Sequence, residues 1–336
     1  MICIVAHHYV VNSGVIQEIT PMNALTFNSL FSLVFGWGGK TGINCFLLIT
    51  GYFMCKSNIT VKKFLKLFLE IEFYNIIIYL IFILAGYTTF SFSELLATVL
   101  PIYGTGTGFL GSYLVFYLFI PFLNILIRGM DEKTHLVLIL LSLTVGSVLQ
   151  TLLKAPIAFT YVGWFMVLYV IASYIRLYPK EIFNNKRIWG CATIVMLVLS
   201  WVSVIWGAWM YNKTGTPFIY YHFVDDVHKI LAVGTAIVAF LCFKNLKIKN
   251  NVVINKIAAS AFGVLMIHAN CDSMRIWLWR DLLDNIGAYY SNHYVIHAIV
   301  SVIMIYIVTT LIDILRIQFI EKPFFKVYDC IIKSEK

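Results

Sequence analysis

The chain has 336 residues, of which 60% are hydrophobic and only 12% are charged. Soluble globular domains carry about 25% charged residues, so this composition excludes an ordinary soluble fold. The formal net charge of +9 would suit nucleic acid, but the basic residues occur in short clusters between apolar runs. Because they form no basic stripe on a soluble recognition module, we expect a protein of the lipid bilayer that binds no nucleic acid.

Apolar runs long enough for membrane helices follow one another along the whole chain. They lie at about 1–12, 42–54, 67–87, 108–127, 135–153, 161–178, 188–210, 229–243, 254–271 and 294–315. The runs are continuously apolar, whereas the strands of a transmembrane barrel alternate polar and apolar residues. The sequence therefore predicts an all-α, polytopic transmembrane helix bundle of about ten spans, as one domain over residues 1–336. A further apolar stretch at 24–37 is short enough to be re-entrant or interfacial.

The basic residues predict the orientation of these spans. With a cytoplasmic N-terminus and alternating connections, 19 of the 25 lysines and arginines fall on the cytoplasmic side. Cytoplasmic loops are enriched in lysine and arginine, so we expect both termini to be cytoplasmic. The first run is short, because eleven residues cover about 17 Å of helix and the hydrocarbon layer is about 30 Å thick. We expect this first helix to be incomplete.

Two adjacent histidines, His7 and His8, lie inside the first apolar run. Ionisable side chains in a membrane are costly and usually functional, and histidine transfers protons near neutral pH. An interfacial pair with ordinary hydrogen bonds is the alternative interpretation. Metal binding is disfavoured, because adjacent side chains point about 100° apart on a helix while two ligands on one face need i, i+4 spacing. We expect no metal site.

Lys62 and Lys66 share one helix face at the predicted cytoplasmic start of the third span. They could hold a phosphate-bearing cytosolic molecule, or they could only mark the topology and contact lipid headgroups. Glu70 and Glu72 follow one turn later, and we expect them to pair with the lysines or to face a cavity.

Two further segments have a functional and a structural interpretation each. The glycines of Gly38–Phe53 allow close helix approach or a tight turn, and packing is the favoured interpretation. The segment is not a phosphate loop, because no glycine lies five residues before its Gly-Lys-Thr sequence and no strand precedes it. His268 ends an apolar helix on the predicted outer side, where a lone histidine is more often structural than catalytic.

Taken in order, these segments resemble the acyltransferase 3 family of bacterial membrane acyltransferases. The family's first helix has an arginine, ten residues and then a histidine, often in a His-His pair, and Ile4–Tyr9 is similar to that ending. The spacing favours His8 over His7 as the family histidine and places the arginine ahead of the first residue. Gly42–Phe53 resembles the family's glycine-rich second segment, with Thr50 in place of the usual serine.

The later segments follow in the family's order. Gly108–Asn124 is similar to the family's Trp-Tyr-x-x-x-Tyr-Leu-x-x-Tyr-Leu-x-x-Pro-Phe-Leu-Asn segment, with its first aromatic pair changed to Gly108-Phe109. The family's paired arginines at the third span correspond to Lys62 and Lys66, which lack the bidentate fork of arginine. Three shorter segments lie in the expected places: Gly163–Tyr169, Ser260–His268 and Glu321–Pro323.

The resemblance implies transfer of an acyl group, usually acetyl, from cytosolic acetyl-CoA to a hydroxyl of a glycan. It implies catalytic roles for His8 as general base, for the adjacent His7 and for His268 as a supporting residue. It also implies that Lys62 and Lys66 contact the acyl-CoA.

The same resemblance implies the partners and the location. The acceptor is expected to be a cell-surface or lipid-linked polysaccharide, such as a capsule, an exopolysaccharide or another cell-wall glycan. The protein is expected in the plasma membrane of a bacterial cell. Aromatic, histidine and acidic residues of the predicted outer connections would suit a sugar: Tyr220, Tyr221, His222, Asp225, Asp226, Trp277 and Trp279.

The main alternative is a transporter or flippase for a lipid-linked glycan or small solute. Ten helices with buried polar groups suit that function too, but the inverted repeats and paired broken helices common in transporters are not visible in the sequence. A structural membrane scaffold is a more distant alternative, because it would not need this set of polar residues.

Overall fold

The computed structural model describes residues 1–100, 108–156 and 159–334, and its regular elements in these ranges are all helices. The first nine are α1 (Ile2–Val11), α2 (Val15–Glu18), α3 (Phe27–Gly36), α4 (Gly39–Met54), α5 (Val61–Leu84), α6 (Phe92–Val99), α7 (Phe109–Gly129), α8 (Glu132–Leu143) and α9 (Gln150–Leu153). The others are α10 (Tyr161–Leu177), α11 (Lys186–Thr214), α12 (Ile230–Lys244), α13 (Val252–Ala259), α14 (Ala261–His268), α15 (Asp272–Ile276), α16 (Asn285–Tyr289), α17 (Tyr294–Arg316) and α18 (Lys322–Ser334).

The all-α prediction is confirmed, and each of the ten apolar runs corresponds to helix. Within the described ranges, five continuous helices are long and apolar enough to cross a membrane. They are Val61–Leu84, Phe109–Gly129, Glu132–Leu153, Lys186–Thr214 and Tyr294–Ile332, and three shorter apolar helices are α1, α10 and α12. The chain is therefore a membrane protein, while the count of ten spans and the cytoplasmic termini stay predictions.

The outer and inner helices differ in how they use apolar residues. Only 11% of the most apolar 18-residue segment of α11 is buried. Its large side chains, such as Val198 and Trp201, therefore face outward into the predicted lipid. By contrast, α10 buries most of its residues from Trp164 to Ile175. A helix that is apolar all round and also buried belongs to the centre of a bundle, and α10 packs there against α4 and α7.

Glycines in the first turn of α4 allow α1 to lie directly against this helix. A Cβ atom at Gly42 would come within 2.8 Å of the Ile4 side chain, and one at Gly39 would overlap the His7 ring. The predicted packing role of this glycine segment is therefore confirmed, and it holds the two histidines of α1 beside the first turn of α4.

Candidate active site

A cavity of about 620 Å³ lies beside α1 and is lined by the start of α4, the second half of α5, α6, the start of α7 and residues 269–275. Its volume falls in the range of small-molecule sites, which is about 300–1,000 Å³. The polar groups that line it include His7, His8, Lys40, Asn75, Asn270 and Arg275. Both histidines predicted from the first helix therefore face one cavity.

His8 contacts the third predicted site residue, His268. The Nδ1 atom of His8 lies 3.0 Å from Nε2 of His268, and the His268 side chain is fully buried. Trp279 is also fully buried and places its ring edge-on to His268, with 6.3 Å between the ring centroids. The structure thus joins α1 and the end of α14 through two imidazoles.

The hydrogen-bond partners determine where the protons of this pair lie. His268 Nδ1 is 2.6 Å from the carbonyl oxygen of Val264, which can only accept, so this nitrogen carries a proton. With both rings neutral, Nε2 of His268 then accepts a hydrogen bond from Nδ1 of His8. Nε2 of His8 therefore keeps a free lone pair, and it has no partner among the described residues. Such a nitrogen, on a ring that lines a cavity, is suited to accept a proton from a substrate.

His7 is held in a different way. Its Nδ1 donates to the carbonyl oxygen of Gly36 at 2.7 Å, and its ring packs on Gly39. The two histidines therefore share the cavity, but His8 alone is held by a second imidazole.

Lys40, which was not among the predicted site residues, lies in the same cavity. Its Nζ atom donates to the hydroxyl of Tyr161 at 2.9 Å and lies 5.6 Å from the centre of that ring. In the sequence, Lys40 is a charged residue at the beginning of an apolar helix, which could have marked it as a site residue. It lies within the glycine segment for which helix packing was the favoured interpretation.

Arg275 is the second cation of the cavity, and much of it is occupied by protein partners. Its Nη1 donates to Asp272 at 2.9 Å and its Nη2 donates to the carbonyl oxygen of Ala269 at 3.1 Å. Glu94 adds a negative charge to the lining at the α6 side. Of these two cations, Arg275 has a carboxylate partner, whereas Lys40 forms no ion pair with any described residue.

Lys62 and Lys66 lie outside this cavity. Lys62 pairs with Asp329 and Lys66 pairs with Glu321, each at 2.7 Å. Both lysines are on α5, whose second half lines the cavity, and Asn75 follows Lys66 by a rise of about 14 Å along the helix. The structure therefore does not bring the predicted donor contacts together with the histidines.

A buried ion cluster lies along α5 between these lysines and the cavity. Arg316 contacts Asp313 at 2.7 Å, Glu70 at 3.0 Å and Glu321 at 3.0 Å, and Tyr74 donates to Asp313 at 2.8 Å. Glu70 was expected to pair with the lysines or to face a cavity, but it contacts Arg316 of α17 instead and does not line the cavity. The cluster ties α5 to α17 and to the segment that leads into α18.

The predicted outer sugar-binding residues do not line the cavity. Tyr221 is buried and donates to the carbonyl oxygen of Leu33 at 3.0 Å, and His222 lies 3.0 Å from the carbonyl oxygen of Thr151. Tyr220, Tyr221 and Trp279 of this set are buried, because packed aromatic rings remove large apolar areas from solvent, whereas Asp225 and Trp277 are exposed.

Comparison with known proteins gives the class of the chain. The family model of acyltransferase 3, described as an acyltransferase domain, matches residues 1–314. No curated protein and no solved structure matches the chain significantly. The match covers more than nine-tenths of the 336 residues, and helices α1 to α16 and the histidine-lined cavity lie within it. The chain therefore belongs to the acyltransferase 3 family of membrane acyltransferases.

Proposed function

We propose that this protein is a membrane-bound O-acyltransferase that moves an acetyl group from cytosolic acetyl-CoA to a hydroxyl of a cell-surface or lipid-linked polysaccharide. One observation carries the proposal. The hydrogen bond between His8 and His268 leaves Nε2 of His8 as a free base on the wall of a cavity large enough for a sugar.

In this mechanism His8 moves one proton. Its Nε2 accepts the proton of the acceptor hydroxyl while the hydroxyl oxygen attacks the thioester carbonyl carbon. The carbon–sulfur bond then breaks, and the protonated His8 returns the proton to the leaving thiolate. His268 accepts from Nδ1 of His8 throughout, so it keeps the ring in the correct tautomer and orientation. His7 lines the same cavity next to His8 and positions the reacting groups there.

The position of the cavity supports a glycan acceptor. It is lined by the half of α5 that lies away from Lys62 and Lys66, which is the outer side in the predicted orientation. Amide and hydroxyl groups of Asn75, Asn270 and Tyr161 line it and can hydrogen-bond to sugar hydroxyls. A hydroxyl presented from the outer face would thus reach His8 without crossing the bundle.

The donor is proposed to bind at the opposite end of α5. Lys62 is about half exposed and Lys66 more than half, so both can contact the phosphates of acetyl-CoA. Each now pairs with a carboxylate, so the phosphates would have to share or replace Asp329 and Glu321. The acetyl end would then extend along α5 toward the cavity.

The family match disfavours the transporter or flippase, because that family is one of acyltransferases. We place the protein in the bacterial plasma membrane, where cytosolic acetyl-CoA and an outer glycan are both accessible.

Labelled acetyl-CoA tests this function. Membranes that contain the protein are incubated with labelled acetyl-CoA and a polysaccharide acceptor, and ester-linked label in the polysaccharide is measured. We expect the wild type to transfer label and His8→Ala to lose about 100-fold or more of the rate. His293→Ala is the matched control, because this exposed histidine lies outside the cavity. Full transfer by His8→Ala would remove the assigned base, and movement of a solute without any ester would favour the transporter.

A further inference from the structure

The position of Lys40 is unfavourable for a positive charge in two ways. It lies in the first turn of α4, where the positive end of the helix dipole disfavours a cation. It is also half-buried in a cavity among apolar helices, where a charge is costly. Local rules broken in this way without a compensating partner are found mainly at functional sites.

The surroundings of Lys40 do not neutralise its charge. Among the described residues, no carboxylate lies within ion-pair distance of Nζ, and its hydrogen bond goes to the neutral hydroxyl of Tyr161. Asp225 and Asp226 attract it only from a longer distance. An ammonium group has three donors, so after the bond to Tyr161 two remain for a ligand.

The chemistry of the proposed function creates a need for such a group. When a hydroxyl attacks a thioester, negative charge develops on the carbonyl oxygen, and a pre-positioned donor lowers the barrier. The positive end of α4 adds to the favourable potential at the same place.

We propose that Lys40 is the catalytic electrophile of this acyl transfer, donating from Nζ to the thioester carbonyl oxygen while Tyr161 positions the ammonium. The proposal rests on the proposed function. Gly39 packs on the His7 ring, so Lys40 enters the cavity immediately beside the two histidines of α1. Base and electrophile then come from adjoining helices and act on the two sides of the forming bond.

The other cation of the cavity is less suited to this role. Arg275 already gives its two Nη atoms to Asp272 and to Ala269, so its charge is balanced before a substrate enters. Asn75 and Asn270 are neutral, and the side chain of Asn270 donates to that of Asn75 at 2.9 Å.

Two other roles are possible for Lys40, and kinetics separate them from catalysis. If Lys40 held an anionic group of the acceptor, its loss would raise the KM of anionic acceptors and leave neutral ones unaffected. If it only supported the fold through Tyr161, its loss would lower stability, and Lys40→Arg would not differ from Lys40→Met.

The experiment compares wild type, Lys40→Met, Lys40→Arg, Tyr161→Phe and His8→Ala, purified in detergent and checked for folding by gel filtration. The readouts are kcat and KM for acetyl transfer to a neutral acceptor and to an anionic acceptor, and the binding of a non-reactive thioether analogue of acetyl-CoA. We expect Lys40→Met to lower kcat by about 100-fold to 1,000-fold, with analogue binding and both KM values nearly unchanged. Lys40→Arg should recover part of the rate, and Tyr161→Phe should lose less than Lys40→Met.

Each outcome decides the role of Lys40. If Lys40→Met does not fold, then full wild-type kcat in both Tyr161→Phe and Lys40→Arg overturns the proposal, and a lowered kcat with unchanged KM in either folded variant supports it. Normal kcat in folded Lys40→Met with a strong loss in His8→Ala overturns the role of Lys40 but leaves the proposed function intact. A change confined to the KM of the acceptor also overturns it. A wild type without acyl transfer overturns both.

Discussion

Gly263 packs directly on the carboxylate of Asp313, and a side chain at position 263 would overlap that carboxylate. Gly263 lies in α14, and His268 follows it by five residues, a rise of about 7.5 Å. One short helix therefore contacts the buried ion cluster near its start and carries at its end the imidazole that contacts His8. The position of His268 depends on the fit between α14 and α17.

We expect Gly263→Ala to lower both stability and activity. The added methyl group forces α14 or Asp313 to move, and overpacking of this kind costs about 1–3 kcal/mol. Because α14 carries His268, the imidazole pair should separate and kcat should fall. Gly190→Ala is the matched control, since a Cβ atom there meets nothing within 4 Å. Thermal unfolding in detergent and the acetyl transfer rate check the pair, and equal behaviour of the two variants would contradict the coupling.

Removal of His268 should lower the rate without abolishing it. In His268→Ala the ring of His8 loses the acceptor that fixes its tautomer, so we expect kcat to fall by about 100-fold while KM changes little. His268→Gln provides an oxygen that can accept from Nδ1 of His8 and should recover part of the rate. Steady-state kinetics of both variants check this, and an unchanged kcat in His268→Ala would show that His8 acts alone.

The helices and the pair of site histidines could be predicted from the sequence, but not the contacts between distant residues. Continuous apolar runs identify membrane helices locally, since lipid requires every backbone group to be satisfied within the helix. His8 and His268 were both predicted, yet their hydrogen bond joins residues 260 positions apart. Lys40 was hidden in a glycine segment whose packing role is real.

Arg316 shows why local charge patterns were misleading. From its position after the last apolar run, Arg316 counts among the 19 basic residues of the predicted cytoplasmic side, and Glu70 was expected to pair with lysines one turn away or to face a cavity. The structure instead buries Arg316 among three carboxylates, one of them from α5. A buried charge needs an oppositely charged partner close by, and here that partner comes from another helix. Residue spacing along α5 alone does not reveal it.

The ion cluster predicts a large stability effect at Arg316. Arg316→Met leaves the buried carboxylates of Glu70, Asp313 and Glu321 without their shared guanidinium, and a broken buried pair costs about 3–5 kcal/mol. Lys62→Met breaks only an exposed pair with Asp329 and should change stability little. The midpoint of thermal unfolding in detergent measures both. A loss at Arg316 no larger than at Lys62 would mean that the cluster does not hold α5 and α17 together.

The donor site makes the last prediction. If Lys62 and Lys66 contact the phosphates of acetyl-CoA, then Lys62→Ala and Lys66→Ala should each raise the KM for acetyl-CoA by about tenfold or more, because a hydrogen bond to a charged group contributes about 1.5–3 kcal/mol. The kcat at saturating donor should stay near the wild-type value, since neither lysine lines the cavity.

Two controls accompany these variants. Lys213→Ala controls for the loss of one exposed positive charge elsewhere. Asp329→Asn controls for the broken ion pair with Lys62 and should leave the KM for acetyl-CoA unchanged or lower it, because it frees the lysine for the phosphates. Kinetics at varied acetyl-CoA concentration distinguish these cases, and a raised KM in Asp329→Asn as large as in Lys62→Ala would indicate that the ion pair, and not a phosphate contact, shapes the donor site.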